Sequence, residues 1–191
     1  LRDSGILAYL DRQKGQGATL AELAAQCELE EYAVSVLLDM GLSGRLLYQQ
    51  EERFMLGKVG HFLLHDTMTR VNMDFTQDVC YQAMFHLGEA LKQGKPAGLK
   101  VFGDWPTIYP ALSQLPEPAK RSWFAFDHHY SDAAFNAALP HVFALSPARL
   151  YDLGGNTGRW AQRCCRYDNQ VQITILDLPE QIALARPAMQ A

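Results

Sequence analysis

Two apolar runs, each closed by an aspartate, frame a glycine turn late in the sequence. Residues 150–158 read Leu-Tyr-Asp-Leu-Gly-Gly-Asn-Thr-Gly, and Val171-Gln-Ile-Thr-Ile-Leu-Asp177-Leu-Pro follows after a polar stretch. The order predicts a strand, a tight turn, a helix and a second strand beside the first. Asp152 falls at the end of the first strand and Asp177 at the end of the second. Gly154 and Gly155 let the chain bend sharply and let backbone approach a ligand. Gly158 removes a side chain where helix and strand must pack. The N–H groups that start the helix, near Asn156 to Gly158, carry partial positive charge and are expected to face a bound molecule.

Asp177 lies nineteen residues beyond Gly158, where an acid can accept hydrogen bonds from both hydroxyls of a ribose. Leu178 is then placed to lie against an adenine ring. A dinucleotide fingerprint, Gly-x-Gly-x-x-Gly, is met in no register, because Asn156 interrupts the run. The spacing is instead Asp152-x-Gly154-x-Asn156-x-Gly158. A pyrophosphate wants the full glycine approach, whereas a nucleoside bearing an amino acid can use a carboxylate such as Asp152 near its ammonium group. This favours S-adenosyl-L-methionine over NAD. An ordinary strand-turn-helix without a ligand stays open at this point.

The front of the chain reads as a winged helix. Ile6, Leu7 and Leu10 form one helical stripe, and Thr19 sits three before Glu22, the spacing of a capping box. A short helix over Leu20 to Gln26 buries Leu20 and Leu23. Another, over Glu30 to Met40, presents Val34, Leu37 and Leu38 and is expected to stop at Gly41. Two strand-like runs, from Arg45 and from Arg53, flank a turn at Gln49 to Glu52. Such a motif often reads DNA with its second helix. Here that helix carries Glu30, Glu31 and Asp39 and no Arg or Lys, and phosphate contacts need positive charge. A structural or dimer-forming module is the better reading, with no nucleic acid as partner.

Phe75, Val79, Ala83, Leu87 and Leu91 repeat every four residues, predicting one long helix that ends near Gly94 and packs in the core or against a second subunit. The linker after it sets the expected division: a winged-helix domain with its connecting helix over 1–94, and a ligand-binding domain over 95–191. Downstream, Trp123, Phe124, Phe126, His128, His129 and Tyr130 crowd one helical stretch, with a break expected around Ser131 and Asp132. Flat rings bury area with few rotors to freeze, so some of these are expected to border a pocket. His128 is a candidate for contact with a ligand.

No metal site is expected. His61 and His65 are four apart but have no third ligand or intervening glutamate nearby. The four cysteines, Cys27, Cys80, Cys164 and Cys165, lack the spacing of a zinc site and read as free thiols. A net charge of -4 gives no footprint for nucleic acid or an anionic membrane. With no apolar run of spanning length and no signal peptide, a cytoplasmic location is expected.

With Asp152-Leu-Gly-Gly-Asn-Thr-Gly and Asp177-Leu-Pro in place, the chain resembles class I, S-adenosylmethionine-dependent small-molecule O-methyltransferases with an N-terminal winged-helix dimerisation domain. The resemblance covers nearly all of the sequence. It implies an α/β chain: an N-terminal winged-helix domain plus the first part of a Rossmann-like methyltransferase domain. It also implies a homodimer clasped through the N-terminal domains, and methyl transfer to a hydroxyl of a small aromatic or polyketide-like metabolite. By resemblance, Gly154 and its neighbours approach the methionine end, Asp177 holds the ribose, and the aromatic helix, including Phe124 and His128, borders cofactor and substrate. The family usually has a third consecutive glycine where this chain has Asn156, a residue that tolerates left-handed backbone. The family's histidine general base has no match, so no catalytic residue is assigned. The later strands have none either. The sequence is therefore expected to be a piece of the whole protein and inactive by itself. The alternative is a dimeric scaffold or regulatory homologue without catalysis.

Overall fold

The structure, a computed structural model, describes residues 1–190. The fold is α/β. It divides into two compact units, Leu1–Arg70 and Val71–Ala191.

The first unit is a winged helix. α1 (Ile6–Arg12), α2 (Leu20–Cys27) and α3 (Glu31–Ser43) precede a hairpin of β1 (Leu47–Gln50) and β2 (Arg53–Leu56). The hairpin pairs antiparallel, with Leu47 opposite Leu56. Ile6, Leu7, Leu10, Leu23, Val34, Leu38 and Leu47 form its core. The expected capping box is present: Glu22 N–H donates to the Thr19 hydroxyl and Thr19 N–H to the Glu22 carboxylate. Gly41 does not stop α3, which runs on to Ser43. Gly41 is buried inside the helix instead, where a Cβ would come within 2.8 Å of Leu47 and 2.9 Å of Leu1. Close packing, rather than a helix end, is what that glycine serves. α4 (Lys58–His65) follows the wing, with Leu63 and Leu64 packed against the core.

The single long helix expected around Phe75–Leu91 is broken into pieces. α5 (Thr67–Phe75) passes into a π-helical turn over Thr76–Cys80, a 3-10 turn over Ala83–His86, and then α6 (Leu87–Gln93). Only the front of the apolar stripe is buried. Val79 joins Leu112, Leu115 and Ala119 in a core that Phe75, Phe102, Trp123 and Phe124 flank. Leu87 and Leu91 are exposed, at 45% and 76%. A wide turn shifts the helical phase, so residues four apart no longer share one face.

α7 (Glu117–Phe143) is continuous through Ser131 and Asp132, so no break occurs there. Pro118 sits in its first turn, where a missing N–H costs nothing. β3 (Arg149–Leu153), α8 (Arg159–Tyr167) and β4 (Gln172–Leu176) form the expected strand-helix-strand unit, followed by α9 (Pro179–Gln190). The two strands are parallel, with Asp152 opposite Ile175 and Leu153 opposite Leu176. α8 buries Ala161 and Cys164. Among the described residues, no helix is long and apolar enough to cross a membrane.

Candidate functional site

Where β3 ends, the chain reverses through three left-handed residues: Gly154 at φ 70°, Asn156 at φ 52° and Gly158 at φ 79°. Non-glycine residues rarely adopt this region, and asparagine is among those that do. The Gly154 N–H donates to the Leu176 carbonyl at 2.8 Å, which ties the turn to the end of β4. Gly155 could not carry a side chain without movement, since its Cβ would come within 2.6 Å of Ile175 and 2.7 Å of the Asp152 carboxylate.

Asp177 organises this turn. Its Oδ2 accepts the Asn156 N–H at 2.7 Å and its Oδ1 accepts the Leu178 N–H at 2.7 Å. The Gly158 N–H donates to the Gly155 carbonyl at 2.8 Å. Two of the N–H groups expected to face a ligand are thus turned inward, because a carboxylate and a carbonyl of the chain itself lie within reach. Asp177 keeps acceptor capacity, since a carboxylate offers about four lone-pair sites and these bonds take two.

Two adjoining hollows open beside the turn. One, of about 230 Å³, is bordered by Asp152, Gly154, Gly155, Asn156 and His128, with Arg159 and Trp160 from α8. The other, of about 330 Å³, is bordered by Gly154, Asn156, Asp177 and Gln181, with Tyr109 and Trp123. Asp127, on α7, borders both, and its carboxylate accepts a hydrogen bond from the Asn156 side-chain amide. The two hollows are lobes of one crevice, and this pair stands between them.

Buried polar atoms without a partner mark the crevice: Asp152 Oδ2, Asn156 Oδ1, and both ends of the Gln181 amide. A native fold leaves few such atoms. Burial pushes the Asp152 carboxyl above its ordinary value, and the negative charge of Asp177 pushes it further. A buried carboxylate oxygen without a partner, as at Asp152, favours a cationic guest. Cys164, buried nearby, is pushed up to about 11 by burial first, then by Asp152 and Cys165, so it stays a thiol.

His128 lies on the crevice wall, with Nε2 3.3 Å from the Thr157 hydroxyl. Its pKa is lowered by burial and then by the Arg159 guanidinium, against the opposing pull of Asp132 and Asp127. The neutral imidazole is therefore favoured. Arg159 itself donates to Asp132 at 2.6 Å. Phe124 stacks on His128 with ring centroids 6.0 Å apart.

Of the residues singled out in the sequence, Asp152, Gly154, Gly155, Asn156, Asp177 and His128 border the crevice. Phe124 backs His128 and packs against the core. Gly158 is buried under Met189 and Ile175, and Leu178 is 41% exposed beside Asp177. Sequence reasoning missed Asp127, Thr157, Arg159 and Gln181. The available signal was spacing: Asp127, Ser131 and Phe135 stand four apart on α7 and border one hollow together.

Residues 1–54 match the family described as a Dimerisation2-like domain. Solved structures match the chain along most of its length. They include the apo S-adenosylmethionine-dependent methyltransferase SibL (TM-score 0.66, 20% identity, 98% of this chain and 55% of that one). PigF with SAH gives a TM-score of 0.70 at 18% identity, over 98% of this chain and 57% of that one. Human N-acetylserotonin methyltransferase in complex with SAM gives 0.61 at 19% identity, over 97% and 55%. The chain shares its fold with these solved structures after an N-terminal segment that matches a dimerisation-type domain, and it spans 55–57% of the length of these three proteins. No curated protein matches by sequence.

Proposed function

We propose that the whole protein to which this chain belongs transfers a methyl group from S-adenosyl-L-methionine to a hydroxyl oxygen of a small aromatic or polyketide-like metabolite. The observation that carries this reading is Asp152 Oδ2, buried beside the glycine turn with no partner. Its charge suits the ammonium of the cofactor's amino-acid end. Solved structures that share the fold hold SAH or SAM.

When bound, S-adenosylmethionine supplies a methyl group on a positively charged sulfur. The residues here hold and orient it, which is most of what such a reaction needs. Asp152, Gly154 and Gly155 receive the methionine end. Asp177 uses its spare lone pairs for the ribose, and Leu178 lies against the adenine. Asn156 offers its orphaned Oδ1. Phe124 and His128 border cofactor and substrate. No residue of the chain is assigned as the general base.

We further infer a homodimer built through the N-terminal unit. On α3, Tyr32, Val36 and Met40 are exposed at 82%, 45% and 66%. They stand four apart on one face, an apolar stripe that suits protein and not phosphate. Tyr81, Met84 and Phe85 expose further apolar surface in the segment up to Gly94.

A dimeric scaffold without catalysis is the second reading, favoured by the Asn156–Asp127 pair standing across the crevice. Calorimetry on the full-length protein with S-adenosylmethionine and its demethylated product tests the first reading. Micromolar binding that Asp177→Ala weakens by about tenfold or more is expected, since a hydrogen bond to a charged group contributes about 1.5–3 kcal/mol. Wild-type affinity in that variant would refute the ribose contact. Cofactor binding with no turnover across a panel of phenolic acceptors would select the scaffold.

A further inference from the structure

The first unit carries a cluster of ligating side chains unrelated to the crevice. α4 places His61 and His65 one turn apart, with ring centroids 4.4 Å apart and planes at 45°. α1 brings Asp11 to both. His65 Nε2 is 2.9 Å from Asp11 Oδ2, and His61 Nδ1 is 3.6 Å from Asp11 Oδ1. One ligand atom from each residue lies within 4.8 Å of the others.

Buried contacts fix this meeting. Leu7 and Leu10 of α1 belong to the core, and Leu63 and Leu64 of α4 pack against it. The three polar heads stand on the solvent side, with His61 59%, His65 49% and Asp11 33% exposed. As plain exposed ion pairs they would contribute only about 0–1 kcal/mol.

The donor set selects the guest. Two imidazole nitrogens and one carboxylate suit zinc and its neighbours, whereas magnesium and calcium want oxygen alone. Metal bonds of about 2.0–2.2 Å in tetrahedral array set donor atoms about 3.3–3.6 Å apart. The separations of 2.9 and 3.6 Å from Asp11 to the two imidazoles are near that spacing. Lys14 and Lys58 border the hollow that Asp11 and His61 line; their charges oppose any divalent cation, and only an ion that bonds imidazole gains the nitrogen contacts that offset them.

We propose that Asp11, His61 and His65 form an open site for a divalent transition ion of the zinc type, joining α1 to α4. In the sequence, His61 and His65 lack a third ligand nearby, and the fold supplies it from the first helix. A site with three protein ligands leaves at least one position for water or an incoming ligand.

The test is calorimetric titration of the chain with zinc chloride in a Cys165→Ser background, which removes the exposed thiol as a competitor. One equivalent is expected to bind. His61→Ala, His65→Ala and Asp11→Asn should each weaken binding at least tenfold, since loss of even an outer-shell partner typically costs about 10–100-fold. Zinc should raise the melting temperature of the parent and not of the His61→Ala/His65→Ala double variant, because only the folded state holds the site. These side chains are half exposed, so the variants should fold, as far-UV circular dichroism would confirm. Absence of saturable zinc binding, or unchanged binding in the double variant, overturns the site. An equal rise in melting temperature with magnesium overturns the choice of ion.

Discussion

In the winged-helix unit, Ile6, Leu7, Leu23 and Val34 are fully buried, and the polar groups around them are tied down. Thr19 and Glu22 cap α2, and Arg53 donates to the Gln16 and Gly17 carbonyls and to Glu22. In the strand-helix-strand unit the reverse holds at the glycine turn. Asp152, Asn156 and Gln181 bury polar atoms that meet no partner. Packing decides the first region; the second holds polar groups in reserve. Substitutions in the first should therefore act on stability, and those at the unpartnered polar groups of the second on binding, with stability unchanged or improved.

The largest effect should come from Leu38→Ala. Leu38 is 1% exposed in the core of the first unit, and a cavity there costs about 2–5 kcal/mol. Urea denaturation should report that loss. A loss below about 1 kcal/mol would mean that packing does not decide the first unit, which breaks the contrast.

Asp152→Asn should behave in the opposite sense. The folded pKa of Asp152 lies above its ordinary value, so the protonated form is the one folding favours. Its contribution to stability is full at pH below the unfolded value and is lost as pH rises through the folded one. Near neutral pH the charge is a liability, and the amide should raise the melting temperature while flattening that part of the pH profile. Cofactor affinity should fall by about 10-fold to 150-fold, the loss of a charge-assisted contact worth about 1.5–3 kcal/mol. Lowered stability with retained affinity would show that Asp152 is a structural acid.

Much of this contrast is legible in the sequence. The period of Ile6, Leu7 and Leu10, the Thr19–Glu22 spacing and the two apolar runs ending in Asp152 and Asp177 each express one local rule, and local rules survive folding. Other features depended on distant partners. Gly41 reads as a helix stop until Leu47 and Leu1 are seen against it. The stripe from Phe75 to Leu91 reads as one helix until the π turn at Thr76–Cys80 shifts its phase. Asp127 shows in the sequence only its helical spacing with Ser131 and Phe135, because the Asn156 amide that meets it comes from another element.

Gly158→Ala asks whether the turn itself is held by conformation or by contact. At φ 79° a Cβ is strained, and it would also come within 3.2 Å of Met189. About 1–2 kcal/mol of stability should be lost, less than in the core of the first unit, and thermal melting would measure it. Alanine at no cost would mean that the turn relaxes freely. Its left-handed residues would then not be what positions Asp152.

The smallest effect, Thr19→Ala, probes the satisfied side of the comparison. The hydroxyl accepts the Glu22 N–H at 3.3 Å, and Glu22 returns the bond to the Thr19 N–H at 2.9 Å. Alanine removes the first bond and leaves the second, so about 0.5–2 kcal/mol should be lost. The lower half of that range is expected, because the 3.3 Å bond is long for a cap and the backbone stays held by Glu22 and by the Ala18–Phe54 bridge. Adding Glu22→Gln should then cost little more, since a glutamine oxygen can still accept the Thr19 N–H. A large further loss would show that the contact of Glu22 with Arg53, 3.0 Å away, holds the wing more firmly than an exposed ion pair should.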